Sequence, residues 1–130
     1  MTREVIQPET LRDPRPRYSQ GIVAAGGRLL FIAGQTAQAK DGGVVGKGDA
    51  EKQAEQVFEN LIAVLSAAGA TVDDLVMTTT YLTDIAYRDA YNKVRLRYYG
   101  DSPPTSTLVV VKALGHEDLV IEIDGIAVIR

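Results

Sequence analysis

The chain has 130 residues, 14 Lys and Arg against 17 Asp and Glu for a formal net charge of −3, and 45% hydrophobic against 24% charged residues. Those values fit one globular domain of ordinary size and exclude a disordered polyelectrolyte or any general electrostatic pull toward nucleic acid. With no cysteine and a single histidine, disulfides, thiolate nucleophiles and multi-histidine zinc centres are excluded together, and no metal is expected. The longest apolar run is about half of what a bilayer span needs, and no charged start followed by an apolar core marks a secretion signal. A cytoplasmic protein that does not engage a membrane is expected.

Pro8, Pro14 and Pro16 break the segment from Gln7 to Arg17, so residues 1–17 read as an extended N-terminal arm leading into one domain that takes up the rest of the 130 residues. Ile22 to Ala25 and Leu29 to Ala33 are β-rich runs flanking Gly26-Gly27, which predicts a hairpin as the first strand pair. Lys40 to Gly48 is glycine-rich around Val44-Val45 and reads as a loop with a possible edge strand. Asp49 is placed to cap a helix in which Ala54, Val57, Phe58, Leu61, Val64, Leu65 and Ala68 recur at helical spacing before Gly69.

Leu75 to Leu82, rich in threonine with Val76 and Tyr81, favours a strand. Asp84 can cap a second helix whose stripe is Tyr87, Ala90, Tyr91, Val94 and Tyr98, ending at Gly100. Pro103-Pro104 stop it, and Thr107 to Ala113 and Leu119 to Ile129 read as two further strands. The order is ββ-α-β-α-ββ, an α+β domain with a mixed sheet and two helices on one face. Both faces near Leu108 to Val111 are apolar, as are most positions of the last strand, so the sheet should be buried on both sides. Two helices cover one side, and the economical cover for the other is a second copy of the chain.

Glu122 and Asp124 project to the same face of the last strand, between Val120 and the pair Ile126 and Val128. Carboxylates on an otherwise dry face must be paired, solvated at an edge, or used at a site. Tyr18, with Ser19-Gln20, enters the first strand and could line an opening or simply pack at a domain edge. Asn92 sits beside the stripe of the second helix, where an exposed or backbone-bonding amide is the plain alternative. Arg88, Arg95 and Arg97 read as solvating the outer helix face, and His116 as a turn residue. Gly42 to Gly48 lacks the spacing of a phosphate loop, and Glu122, Asp124 and Gly125 do not fill a calcium loop.

Tyr18-Ser19-Gln20, Ala33-Gly34-Gln35, Asn60 and Leu61 through Ala67-Ala68-Gly69, Thr78-Thr79 through Leu82-Thr83-Asp84, Asn92, Pro103-Pro104 and Ile121 to Val128 occur in one order along the chain. In this the sequence resembles the RidA/YjgF family, over nearly its whole length. The resemblance implies a chorismate-mutase-like α+β fold assembled as a homotrimer, with a small-molecule pocket between subunits. It also implies hydrolysis of reactive enamines or imines to a carbonyl product and ammonia, with no cofactor. Carried over by motif, Tyr18 lines the pocket, Gly34 offers backbone contacts, Asn92 gives polar support, and Glu122 positions or deprotonates water, with Asp124 beside it.

The resemblance has one defect. Where the family pattern sets an arginine that clamps a substrate carboxylate, Pro104-Thr105-Ser106-Thr107-Leu108 puts Ser106, and Leu108 replaces a small or thiol side chain. Loss of a two-pronged guanidinium contact costs about 3–6 kcal/mol if nothing replaces it, on the order of 100- to 10,000-fold. Either the substrate differs, with Ser106 and Leu108 in contact with it, or another cation such as Arg17 supplies the charge. A non-catalytic binder or regulator using the same cleft is the alternative. An RNA-directed ribonuclease or translation inhibitor is the third reading, against which the acidic balance and lone histidine weigh.

Overall fold

The structure, a computed structural model, describes residues 2–130. Its elements are β1 (Thr2–Ile6), β2 (Gly21–Ala25), β3 (Arg28–Gln35), α1 (Ala50–Ala67), β4 (Leu75–Leu82), α2 (Arg88–Tyr98), β5 (Thr105–Val110) and β6 (Ile121–Ile129). Short 3-10 turns at Val72–Asp74 and Ile85–Tyr87 lead into β4 and α2. Four strands form a mixed sheet in the order β3-β6-β4-β5, antiparallel except for the parallel pair β4 and β5. No helix among the described residues is long and apolar enough to cross a membrane.

The N-terminal half departs from the sequence expectation in two ways. A strand, β1, lies inside the segment read as an arm, so the order is βββ-α-β-α-ββ. The hairpin predicted across Gly26-Gly27 is not formed: β2 pairs with β1 in a separate two-stranded ribbon, and β3 pairs with β6. The glycines serve a corner instead. Gly26 has φ +75°, and a Cβ on Gly27 would collide with the Ile129 carbonyl oxygen and Val128, so the chain turns tightly against the end of β6. The segment entering β2 lies beside β5: the Ser19 amide donates to the Pro104 carbonyl (3.0 Å) and its hydroxyl to the Pro103 carbonyl. The Val44-Val45 stretch forms only an isolated bridge from Val44 to Gln38, since glycines on both sides leave it too short to propagate a ladder.

Helix α1 forms where its periodicity placed it. The Asp49 carboxylate accepts from the Lys52 amide (3.0 Å), and Gly69, at φ +75°, closes the far end. Val57, Phe58, Leu61 and Leu65 are fully buried against Ile32, Ile121, Ile123 and Ala127 of the sheet. Phe58 also stacks on Tyr98 of α2 at 4.8 Å between ring centroids, and Tyr91 and Val94 complete the layer. Gln53, buried in the same helix, donates to the Gly46 and Asp118 carbonyls and accepts from the Val120 amide. Every polar group of that amide therefore has a partner, and two loops are pinned to the helix.

Both helices lie on one face, and the other face is uncovered. Cross-strand pairs Leu29 with Val128, Phe31 with Ile126 and Met77 with Ile126 make it apolar, and Phe31 is 70% and Leu29 61% exposed. The two-sided burial expected of the sheet is thus met on one side within the chain.

Two predictions follow from this packing. Gly27→Ala should destabilise by roughly 1–3 kcal/mol, as overpacking against backbone does, read as a lower urea midpoint at unchanged slope. The Tyr98 hydroxyl is pushed up to about 12 by burial first and by its hydrogen bond to Glu59 second, and burial raises Tyr99. Because the folded value lies above the ordinary 10, this stability is complete below pH 10 and is lost as pH rises toward 12. Absorbance titration should show a subset of the six tyrosines ionising only as the fold is lost; six tyrosines titrating together near pH 10 in the folded protein would contradict it.

Candidate functional site

Strand β6 distributes its side chains by alternation. Ile121, Ile123, Ala127 and Ile129 go under the helices, while Glu122 and Asp124 go to the uncovered face, opposite Tyr81 and Thr79 of β4. Asp124 is held by the Tyr81 hydroxyl, which donates to it at 2.9 Å. That bond is the largest reason the Tyr81 hydroxyl is raised above its ordinary value, with burial and the charges of Asp124 and Glu122 adding to it. Glu122 is half-buried and its carboxylate lies over Gly34, where an added Cβ would come within 2.7 Å of Glu122 Cδ. Absence of a side chain at Gly34, next to the irregularity in β3 between Ile32 and Gln35, is what admits the acid. Ala33, Gly34, Phe31, Met77, Thr79 and Asp124 line an adjoining hollow of about 370 Å³.

A second, larger cavity of about 780 Å³ opens at the opposite edge of the sheet, between the residue 12–18 segment, α2 and β5. Tyr18, Asn92, Leu108 and Arg17 all line it, together with Arg12, Arg15, Arg88 and Arg95. Ser106 precedes Leu108 on β5 and shares its face, since the parallel register sets Ser106 beside Thr78 and Leu108 beside Thr80. That is the helix-covered face. The site residues read from the sequence therefore fall into two groups within one chain: Glu122, Asp124 and Gly34 on the open face, and Tyr18, Asn92, Leu108, Ser106 and Arg17 on the other side, toward the β5 edge.

Arg95 corrects the sequence reading. By residue type it belongs on the solvated face of α2 with Arg88 and Arg97, but it is 5% exposed. Arg97 is exposed and ion-paired with Glu51 and Glu55. Arg95 instead lies four residues after Tyr91 and one after Val94, inside the buried stripe, with its guanidinium 4.5 Å from the Tyr91 ring centre and 6.0 Å from that of Tyr18. Nη1 donates to the Tyr91 hydroxyl (3.1 Å), itself the acceptor of a bond from buried Thr80. The i+4 spacing from Tyr91 was the available signal; residue type outweighed it. His116 sits in an exposed turn, with Nδ1 accepting from the Asp118 amide. Among the described residues no group of three or more His, Asp or Glu is arranged to hold a metal.

The family model for endoribonuclease L-PSP matches residues 10–129. A RutC family protein of Pyrococcus horikoshii is 41% identical over 96% of this chain and 97% of its own length. Protein DfrA of Myxococcus xanthus is 36% identical over 98% and 97%. Among solved structures, the Rid family protein YyfB of Yersinia pestis, of unknown function, superposes with a TM-score of 0.93 at 37% identity, covering 99% of this chain and all of that one. RidA from an Antarctic Psychrobacter superposes at 0.73 with 31% identity over 97% and 99%. Matched along almost its full length in sequence and in fold, the chain belongs to the RidA/YjgF family, the family of the endoribonuclease L-PSP model.

Proposed function

We propose that the protein is a cofactor-independent hydrolase of the Rid type that converts a small reactive imine or enamine to a carbonyl compound and ammonia. The observation that carries the reading is Glu122, an acidic side chain half-buried over Gly34 on the uncovered sheet face, beside the apolar surface of Phe31, Met77 and Ile126. A carboxylate so held can take a proton from water as the water oxygen bonds to the electron-poor imine carbon. That proton, returned to nitrogen, gives the carbinolamine; Glu122 then takes the proton of its new hydroxyl and passes it to the same nitrogen, so the C–N bond breaks and ammonia leaves as the carbonyl forms. Asp124, engaged by Tyr81, stands beside Glu122 as a second negative charge and favours a nitrogen that becomes cationic on the way.

Glu122 and the cavity bearing Tyr18, Asn92 and Leu108 lie on opposite sides of one chain's sheet, so the complete site needs two copies. The open face supports this: Leu29, Phe31, Met77 and Ile126 form an apolar surface that association as a homotrimer would cover. The site would then be an inter-subunit cleft, with water handled by one subunit and the substrate held by its neighbour. Ser106 in place of an arginine points to a substrate that differs from those clamped through β5, and Arg17 at the cavity rim is a candidate source of charge.

A non-catalytic binder is the second reading, favoured by the fact that the larger cavity is complete within one chain and contains none of the acids of β6. For an RNA-directed role, the lone His116 on its exposed turn offers no pair of proton-transfer groups.

Two experiments test the proposal. Across a panel of freshly generated imines, neutral and charged, the protein should release ammonia, and Glu122→Gln should lower the rate at least 100-fold while leaving the assembly state unchanged. No release from any member supports the binder instead. Phe31→Lys should shift the protein from oligomer to monomer in sedimentation, and abolish turnover with it; full activity as a monomer would refute the shared cleft.

A further inference from the structure

Two strands that follow one another in the chain each keep an unpaired edge. In the order β3-β6-β4-β5, β3 is an edge strand bonded to β6 alone, and β2 is bonded to β1 alone, among the described residues. Such an edge presents a row of amide and carbonyl groups that another strand can take up. No proline falls in either strand, and their one charged residue is Arg28, at the start of β3. The edge of β3 is also continuous with the exposed apolar surface of Leu29 and Phe31.

The two edges match in sequence. With Ile22 set opposite Phe31 in an antiparallel ladder, Val23 falls opposite Leu30 and Ala24 opposite Leu29, so each of these pairs is apolar and Ile22 and Ala24 extend the row of Leu29 and Phe31. Within one chain the ladder is forestalled. The Gly26-Gly27 corner is wedged against Val128 and Ile129, and Ser19, before β2, is bonded to the Pro103 and Pro104 carbonyls at the far edge of the sheet.

We infer that β2 of one copy adds to the free edge of β3 in a second copy, antiparallel and with Ile22 opposite Phe31, so that the sheet continues across the subunit boundary. The consequence reaches the site. Carried further along the same ladder, Gln20 comes opposite Ala33 and Ser19 opposite Gly34 of the second copy. Glu122 lies over Gly34, and Tyr18 lines the larger cavity. The ladder therefore brings the Tyr18 cavity of one copy to the carboxylate of the other. Strand pairing, in addition to the apolar face, is what sets the register in which the two half-sites meet. The inference deepens the reading of a shared cleft and rests on it for self-association, not for catalysis.

The chain has no cysteine, so introduced thiols report without background. Opposite residues of an antiparallel pair have Cα atoms about 4.5 or 5.5 Å apart in alternation, both within disulfide reach. Two full-length double variants, Ile22→Cys/Phe31→Cys and Val23→Cys/Leu30→Cys, therefore sample both spacings, and either can decide if the other does not fold. On mild oxidation at least one should run mostly as linked dimers and trimers on a non-reducing denaturing gel, and as single chains after reduction. The shifted pair Ile22→Cys/Leu29→Cys keeps the face but not the register, and should link about tenfold less. Links confined to single chains, equal linking of the shifted pair, or no link in either matched pair would overturn the inference. A monomer in sedimentation of the unaltered protein would overturn it together with the shared cleft. Correctly linked oligomers of a protein that releases no ammonia from any imine would instead remove the hydrolase reading and leave this one standing.

Discussion

Everything in this molecule follows from a four-stranded sheet that has helices on one side only. Strand β6 carries the consequence most plainly, because its alternation sends Ile121, Ile123, Ala127 and Ile129 into a closed core and Glu122 and Asp124 to a face that the chain itself leaves open. Burying the first set stabilises the domain by roughly 1.5–3 kcal/mol per large aliphatic side chain. That gain fixes the register of β6, and with it the position of the two acids, because a slip of one residue would exchange the faces. The placement of the carboxylates is thus enforced by hydrophobic burial on the opposite side.

The two helices differ in what they do beyond covering the sheet. Helix α1 is an apolar support whose single buried amide, Gln53, is fully satisfied and ties down two loops. Helix α2 has polar groups inside its buried stripe that remain partly unsatisfied. Arg95 and Asn92 keep unpaired atoms, while Tyr91 is shared between Thr80 and Arg95. An unmet hydrogen-bonding group in a packed layer costs on the order of 1–3 kcal/mol, so the buried polar groups of α2 cost stability where Gln53 of α1 does not.

The two clusters of candidate site residues lie on opposite sides of a single sheet, which is an economical arrangement for the proposed self-association. Each chain offers an acid-bearing face in one direction and an arginine-lined hollow in the other. In the proposed assembly, a ring of such chains would use both without any chain having to fold back on itself.

Much of this was legible in the residues. The cap at Asp49, the stripe of α1, the strand Leu75–Leu82 and the shared orientation of Glu122 and Asp124 are local patterns governed by periods of 3.6 and 2, and the structure retains them. The uncovered face, too, was readable from too many apolar strands for two helices. Three things were not. Strand β1 lies in the segment read as an arm, because it is a strand only through its pairing with β2. The Gly26-Gly27 dipeptide suits a hairpin, yet it forms a corner because the end of β6 packs against it and β3 finds its partner nearly a hundred residues away. Arg95 reads as a surface charge by type, yet the packing of α2 against the segment bearing Tyr18 takes it inside, with its guanidinium near the rings of Tyr18 and of Tyr91 on its own helix. Local sequence determined both helices, the strands after β1 and which side of each is apolar, because those depend on neighbours a few residues apart. Which strands pair, and which cation loses its water, was decided only by the tertiary structure, because both depend on contacts between segments far apart in the chain.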